Sequence, residues 1–161
     1  MAVWQFSFDL IPSSAATISG VVAARMNRDQ IDAVELDFDG PTADAMFARV
    51  GTILPEKRSW HANLRIWGDE KTDDVQICVS GMTIKEVQFR LNVADLSLSL
   101  VGAISALARE FDCVFATRSG AIIRPYSEAL VRMIMLSDAA RFVSDPARYL
   151  AEAAQRDPEP R

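Results

Sequence analysis

The 161-residue chain has only two cysteines, one histidine and seven glycines. Each scarcity closes off a class of chemistry. Two cysteines, Cys78 and Cys113, are too few for a disulfide framework, and no C-x-x-C pair offers zinc or redox chemistry. Both lie in apolar, strand-like stretches, which reads as two buried free thiols in a reducing cytosol. With so little glycine there is no P-loop, no dinucleotide fingerprint and no G-x-S-x-G elbow, and "RSG" at 118–120 is too short to cradle a phosphate. Basic residues are the minority: Lys and Arg number 17 against 22 Asp and Glu, a net charge of −5. A general nucleic-acid binder needs a basic face to displace counterions. Nucleic acid is therefore not expected as a partner, whereas a basic protein is compatible with the charge.

Long hydrophobic runs are missing as well. The most apolar stretch, "SLSLVGAISALA", is too short for a transmembrane helix and reads as a buried one. The start, "MAVWQFSFDLIP", lacks a basic region, and Gln5, Ser7 and Asp9 interrupt its apolar residues, unlike a secretory signal. The expected setting is cytoplasmic, without a membrane partner and without a cofactor.

What is present is ordinary globular material: half the residues are apolar and 24% are charged. The length suits a single domain, expected over residues 1–154, with 155–161 ("QRDPEPR") as a flexible tail. Residues 3–11 alternate with period two and read as a half-buried strand, Trp4, Phe6, Phe8 and Leu10 on one side and Gln5, Ser7 and Asp9 on the other. Residues 13–40 are the least legible. "ATISGVVAARMN" fits a short helix or a strand interrupted by Gly20, and the acidic stretch after it reads mostly as loop. Pro41 opens a helix whose face is Ala43, Met46, Phe47, Val50 and Leu54, and Pro55 stops it.

"SWHANLRIWGDEKTDD", Ser59 to Asp74, then gathers two of the three tryptophans, the only histidine and four carboxylates. Alternating runs at 64–67 and 75–79 flank a polar segment with Gly68, the pattern of a β-hairpin whose acids lie at a solvated connection. Ile84 to Val93 is the cleanest strand, with Val87, Phe89, Leu91 and Val93 on one face and Glu86, Gln88, Arg90 and Asn92 on the other. Asp95 or Ser97 caps a helix to about Glu110, and its apolar residues nearly surround it. Two short strands follow, then a helix from Pro125 through about Phe142, and Asp145-Pro146 starts a last short helix. Hairpin-ordered strands followed by helices predict an α+β fold, a mainly antiparallel curved sheet with helices packed on one face.

Pro55, Ser59, Trp60, Ile66, Trp67 and Gly68, with "FRLNVADLS" and "RFVSDPARYL" further on, resemble a pattern of small uncharacterised bacterial cytosolic proteins. The similar elements run over about residues 53–150. The resemblance implies a single domain of loosely immunity-protein-like size and carries no catalytic residues.

Candidate chemistry is sparse. Asp69, Glu70, Asp73 and Asp74 lack the spacing of a calcium loop, so no metal is expected there. His61 has no evident nucleophile beside it. The polar sheet face is the strongest candidate surface, with Arg65, Trp67, Glu86, Gln88, Arg90 and Asn92 as binding residues, because Trp and Arg are enriched at binding hot spots. Two readings follow. The first is a non-enzymatic, immunity-like protein-binding module that uses this face. The second is a small-molecule-binding protein or unrecognised enzyme with a pocket between the sheet and the helix at 97–110, where His61, Arg90 and Asp95 would be the residues to suspect.

Overall fold

The computed structural model describes residues 2–148 and 151 of the chain. The expected domain end at 154, the tail at 155–161 and part of the last short helix lie outside the described residues. The chain builds an α+β fold around a seven-stranded, wholly antiparallel sheet. The strands are β1 (Gln5–Pro12), β4 (Glu56–Lys57), β5 (Leu64–Gly68), β6 (Asp74–Ser80), β7 (Thr83–Asn92), β8 (Cys113–Ala116) and β9 (Ile122–Ile123). They lie in the order β4-β5-β6-β7-β1-β8-β9, so the first strand of the chain is central. A separate two-stranded hairpin pairs β2 (Thr17–Ile18) with β3 (Val21–Val22).

One face of the sheet carries the main core. Phe6, Phe8 and Leu10 of β1 point to it, and Phe8 stacks on its strand partner Phe89 with centroids 5.2 Å apart. Phe115 meets Phe8 edge-on at 5.0 Å. Three rings in this arrangement contribute large apolar area and favourable quadrupole geometry. Helix α3 (Gly40–Ile53) starts with a proline in its first turn and buries Ala43, Met46 and Val50 against this layer. Helix α4 (Leu98–Glu110) is capped by the Ser97 hydroxyl, which accepts from the Leu100 N–H at 3.2 Å. Its Leu100, Val101, Ile104, Leu107 and Ala108 are all buried, as a helix apolar around most of its circumference requires.

The helix expected from Pro125 through Phe142 is two helices, α5 (Ser127–Met135) and α6 (Asp138–Ser144). Ser137 separates them: its side chain caps α6 by accepting from the Ala140 N–H at 3.2 Å. A good cap inside an apolar period starts a new helix at an angle to the old one, and periodicity alone does not register the break.

β7 holds a bulge. Cys78 pairs with Glu86 and Val79 with Ile84, leaving Lys85 as the extra residue. This lets Ile84 and Val87, three apart, both reach the core. No helix among the described residues is long and apolar enough to cross a membrane.

In the stretch at 13–40, "ATISGVVAARMN" includes two short strands broken at Gly20, one of the two forms expected, and the acidic stretch after it holds a helix where mostly loop is expected. After a single helical turn, α1 (Ser13–Ala16), and the β2–β3 hairpin comes α2 (Arg28–Asp32). A capping box starts α2: the Asn27 side chain accepts from the Gln30 N–H, and the Gln30 side chain accepts from the Asn27 N–H. The segment crosses the second face of the sheet. There Val22, Met26, Ile31 and Val34 pack on a smaller cluster of Ile11, Ala16, Val114, Ala116 and Ile122. Both ends of its last part are pinned. The Met26 N–H donates to the Gly120 carbonyl at 2.8 Å, and the Leu36 N–H donates to the Lys85 carbonyl at 3.1 Å. The bulge supplies that second anchor, since its extra residue has a carbonyl free of the β6 ladder. Between the two anchors, residues 27–35 form a strap across the sheet.

Candidate functional site

The ladder register decides which side chains share the second face. Ile66, Gln76, Gln88 and Asp9 form one transverse row across β5, β6, β7 and β1. Asp74, Arg90 and Ser7 form the next row toward one end, and Cys78 and Glu86 the next toward the other. Glu86, Gln88, Arg90 and Asn92 therefore do share a face with Gln5, Ser7 and Asp9, as the alternation predicts.

Arg65 and Trp67 do not. Their cross-strand partners are Ile77 and Val75, which lie in the helix-covered core. Trp67 is 1% exposed and stacks on Phe47 of α3 at 6.0 Å. The Arg65 guanidinium lies 4.1 Å from the Phe47 ring centroid and 5.0 Å from that of Trp67, and forks onto Glu56. The expectation that these two residues look out from the polar face is corrected. On β5 both faces are buried, since Leu64 and Ile66 are covered too, so the usual in-out contrast gives no register. An arginine can lie along an aromatic pair with its stem dry and its head at the edge.

Two more of the expected binding residues are committed inside the protein. Arg90 donates Nε to Asp74 Oδ1 at 2.8 Å and Nη2 to Asp74 Oδ2. Asp74 is fully buried and also accepts from Gln76 Nε2 at 3.1 Å. Asn92 donates its backbone N–H to Asp73 Oδ1 at 2.7 Å, and its side chain accepts from the Ala94 N–H. The hairpin at Ser59–Asp74 forms as expected, β5 pairing with β6. Its acids are not uniformly solvated: Asp74 starts β6 in the interior and Asp73 is half-buried. The connection folds onto the start of β1, where buried Gln5 donates to the carbonyls of Glu70 and Thr72.

The pocket expected between the sheet and α4 is also corrected. Val101, Ile104, Leu107 and Ala108 are each fully buried there, in a closed core. His61 is exposed, its Nδ1 accepting from the Asn63 N–H at 3.0 Å, and Asp95 is exposed in a 3-10 turn. Among the described residues, none of the cavities lined by Asp9, by Thr52 and Ser99, or by Ser7 and Thr117 brings either of them together with Arg90.

A cavity of about 280 Å³ instead opens on the other face, between the sheet and the strap. Its floor carries Asp9, Gln76, Gln88 and Cys78, exposed Glu86 lines its edge, and Ile31 and Val34 overhang it. Arg28, Asp32, Lys85 and Arg118 stand around it. Burial, with repulsion from Glu86 second, pushes the Asp9 carboxyl up to about 6, against the pull of Arg118. Burial, then the nearby Glu86 and Asp9, also raises the Cys78 thiol, so it is no thiolate nucleophile at neutral pH. The carboxylates of Asp9 and Glu86 make no hydrogen bond or ion pair to any described residue, although both backbones lie in the sheet ladders. Among the described residues, two of the three surrounding cations are engaged by other carboxylates, and Arg118 is not. Lys85 binds Glu35 and Asp37, and Arg28 lies 3.5 Å from Asp32.

Sequence reasoning placed Asp9 on the right face but did not single it out. It missed the strap altogether, although the Asn27-x-x-Gln30 cap before Ile31 was a readable sign of a helix there. Fold and site together describe an α+β domain with a half-roofed polar cavity on the outer face of its sheet. The chain matches no protein-family model, no curated protein and no solved structure.

Proposed function

We propose that this protein binds a small polar molecule in the cavity between the strap and the sheet. The single observation that carries this is Asp9, a half-buried carboxylate on the cavity floor that no side chain of the described structure pairs. Burying a carboxylate beside a second one costs stability, and a fold loses nothing by having Asn or Ser at such a position. A carboxyl without a partner, shifted by burial in a concave site, marks a candidate ligand site.

The protein-binding reading rested on Trp67 as an exposed anchor beside Arg65 and Arg90. With Trp67 in the core and Arg90 tied to Asp74, that support is gone, and the strap covers part of the face. The test is a chemically diverse fragment set screened by two-dimensional amide NMR. Binders should concentrate their shifts on Asp9, Cys78, Gln88 and the strap at 28–34. Fragments that cluster only in the groove between α3 and α4, lined by Thr52, Ser99 and Ala103, would overturn the proposal.

A further inference from the structure

Resting on that reading of the cavity, we infer its ligand class: a small organic monocation, an ammonium or amidinium on an apolar body, held between Asp9 and Glu86. Three features of the cavity carry this. The first is the spacing of the two acids. Glu86 is two residues from Gln88, the cross-strand partner of Asp9, so the two are diagonal neighbours about 7–8 Å apart at the backbone. Two carboxylates rising from such positions can both reach one cationic group placed between them, and that group would relieve their mutual repulsion.

The second feature is the remaining lining. Gln76 uses its Nε2 on Asp74, so its amide oxygen is left as an acceptor. Gln88 lines the same floor. Each amide can turn an acceptor oxygen toward an N–H donor, and the two acids set the preference for a cation. Overhead, Ile31 and Val34 of the strap, with Ile11 beside Asp9, give an apolar slot for the rest of the ligand. A bare divalent metal fits less well. It wants six or more oxygens, whereas the third acid, Asp32, is already paired with Arg28. Among the described residues no group of three His, Cys, Asp or Glu is arranged to hold a metal.

The third feature is the balance of charges facing Asp9. Glu86 on β7 and Asp32 on α2 are the acids, and Arg118, in the turn between β8 and β9, is the one cation with a resolved pull on it. Cys78 on β6 is a neutral thiol, and Lys85 and Arg28 are held by other carboxylates. Arg118 is exposed and hydrogen-bonds neither acid, so it is the internal competitor that a cationic ligand must displace electrostatically.

The probes are benzylamine, its neutral isostere benzyl alcohol, and benzoate, each titrated by amide NMR into the full chain. Benzylamine is expected to bind, and benzyl alcohol and benzoate to bind at least tenfold more weakly. Since Asp9 titrates near 6 and benzylamine stays protonated throughout, its affinity should fall about tenfold from pH 7.5 to pH 5. Asp9→Asn and Glu86→Gln should each cost tenfold or more with amide dispersion unchanged, while Arg118→Gln should tighten binding. Benzyl alcohol or benzoate binding as well as the amine at these residues would overturn the ligand class and leave the cavity standing as a site. An unchanged affinity in both Asp9→Asn and Glu86→Gln would overturn it too. Should none of the three probes shift the floor or the strap, the cavity itself takes no ligand and both proposals fall.

Discussion

Asp74 and Arg90 are cross-strand partners on β6 and β7, and the guanidinium of Arg90 forks onto the fully buried carboxylate of Asp74. The pair sits one row from Asp9 on the same face of the sheet. It shows how the two kinds of acid on this face differ: Asp74 has its cation and an amide donor, and Asp9 has neither. Removing one member of such a pair strands the other charge in the interior. Arg90→Ala should therefore cost about 3–5 kcal/mol of stability. A urea melt within about 1 kcal/mol of wild type would show that water reaches Asp74 freely.

Trp67→Ala should be as damaging, for a different reason. The ring lies between the sheet and α3, stacked on Phe47 with Arg65 across both rings. Truncation opens a cavity in a closed core and removes the platform under Arg65. The expected cost is about 3–5 kcal/mol. Leu107→Ala, from a fully buried position on α4, should cost about 2–5 kcal/mol by the same mechanism. Either variant melting like wild type would contradict the core described above.

Ser105 makes the opposite case. Its hydroxyl is buried on α4 and has no hydrogen-bond partner among the described residues. A buried, unpaired hydroxyl is a net loss, so Ser105→Ala should raise stability by about 1 kcal/mol. Calorimetry showing a loss of that size instead would mean the hydroxyl has found a partner.

Asp9 links the site to pH. Its carboxyl titrates near 6 in the folded chain and near 4 in an unfolded one. Between those values the folded state holds more protons, so this residue's contribution to stability falls as pH rises through that window and is then flat. Asp9→Asn should consequently stabilise the protein at pH 7–8 by about 1–3 kcal/mol, solvent at the cavity mouth reducing the gain. The difference should shrink toward zero near pH 4. A variant less stable than wild type at pH 7.5 would mean that Asp9 has a cationic partner inside the fold.

Gly120 tests the strap. It has φ of +93°, and a Cβ there would lie 2.1 Å from the Met26 carbonyl oxygen. Its own carbonyl accepts from the Met26 N–H. Gly120→Ala should push the strap away at that anchor, so that hydrogen exchange quickens over residues 26–34 while β6 and β7 stay protected. Uniformly faster exchange over the sheet would show that the strap is part of the main folding unit.

The sequence determined much of this architecture on its own terms. Period-two runs at 3–11 and 84–93 marked two central strands and the faces of most of their residues, because a strand with one wet face must alternate, although Trp4, expected beside Phe6, lies exposed in a turn before β1. Pro41 and Pro55 bounded α3, and Ser97 with the apolar residues after it defined α4, since caps and prolines act locally. Gly68 between two alternating runs gave the hairpin. The tertiary structure alone decided three things. It turned Trp67 and Arg65 inward, because on β5 both faces are covered and alternation no longer distinguishes them. It made Asp74 and Arg90 a buried pair, where sequence showed only a turn acid and an outward arginine. And it brought residues 27–35 across the sheet from anchors at Gly120 and Lys85, roughly 90 and 50 positions away along the chain. A hydrogen bond of that sequence separation leaves no local pattern, so the cavity it roofs, with Asp9 on its floor, appears only when the chain is folded.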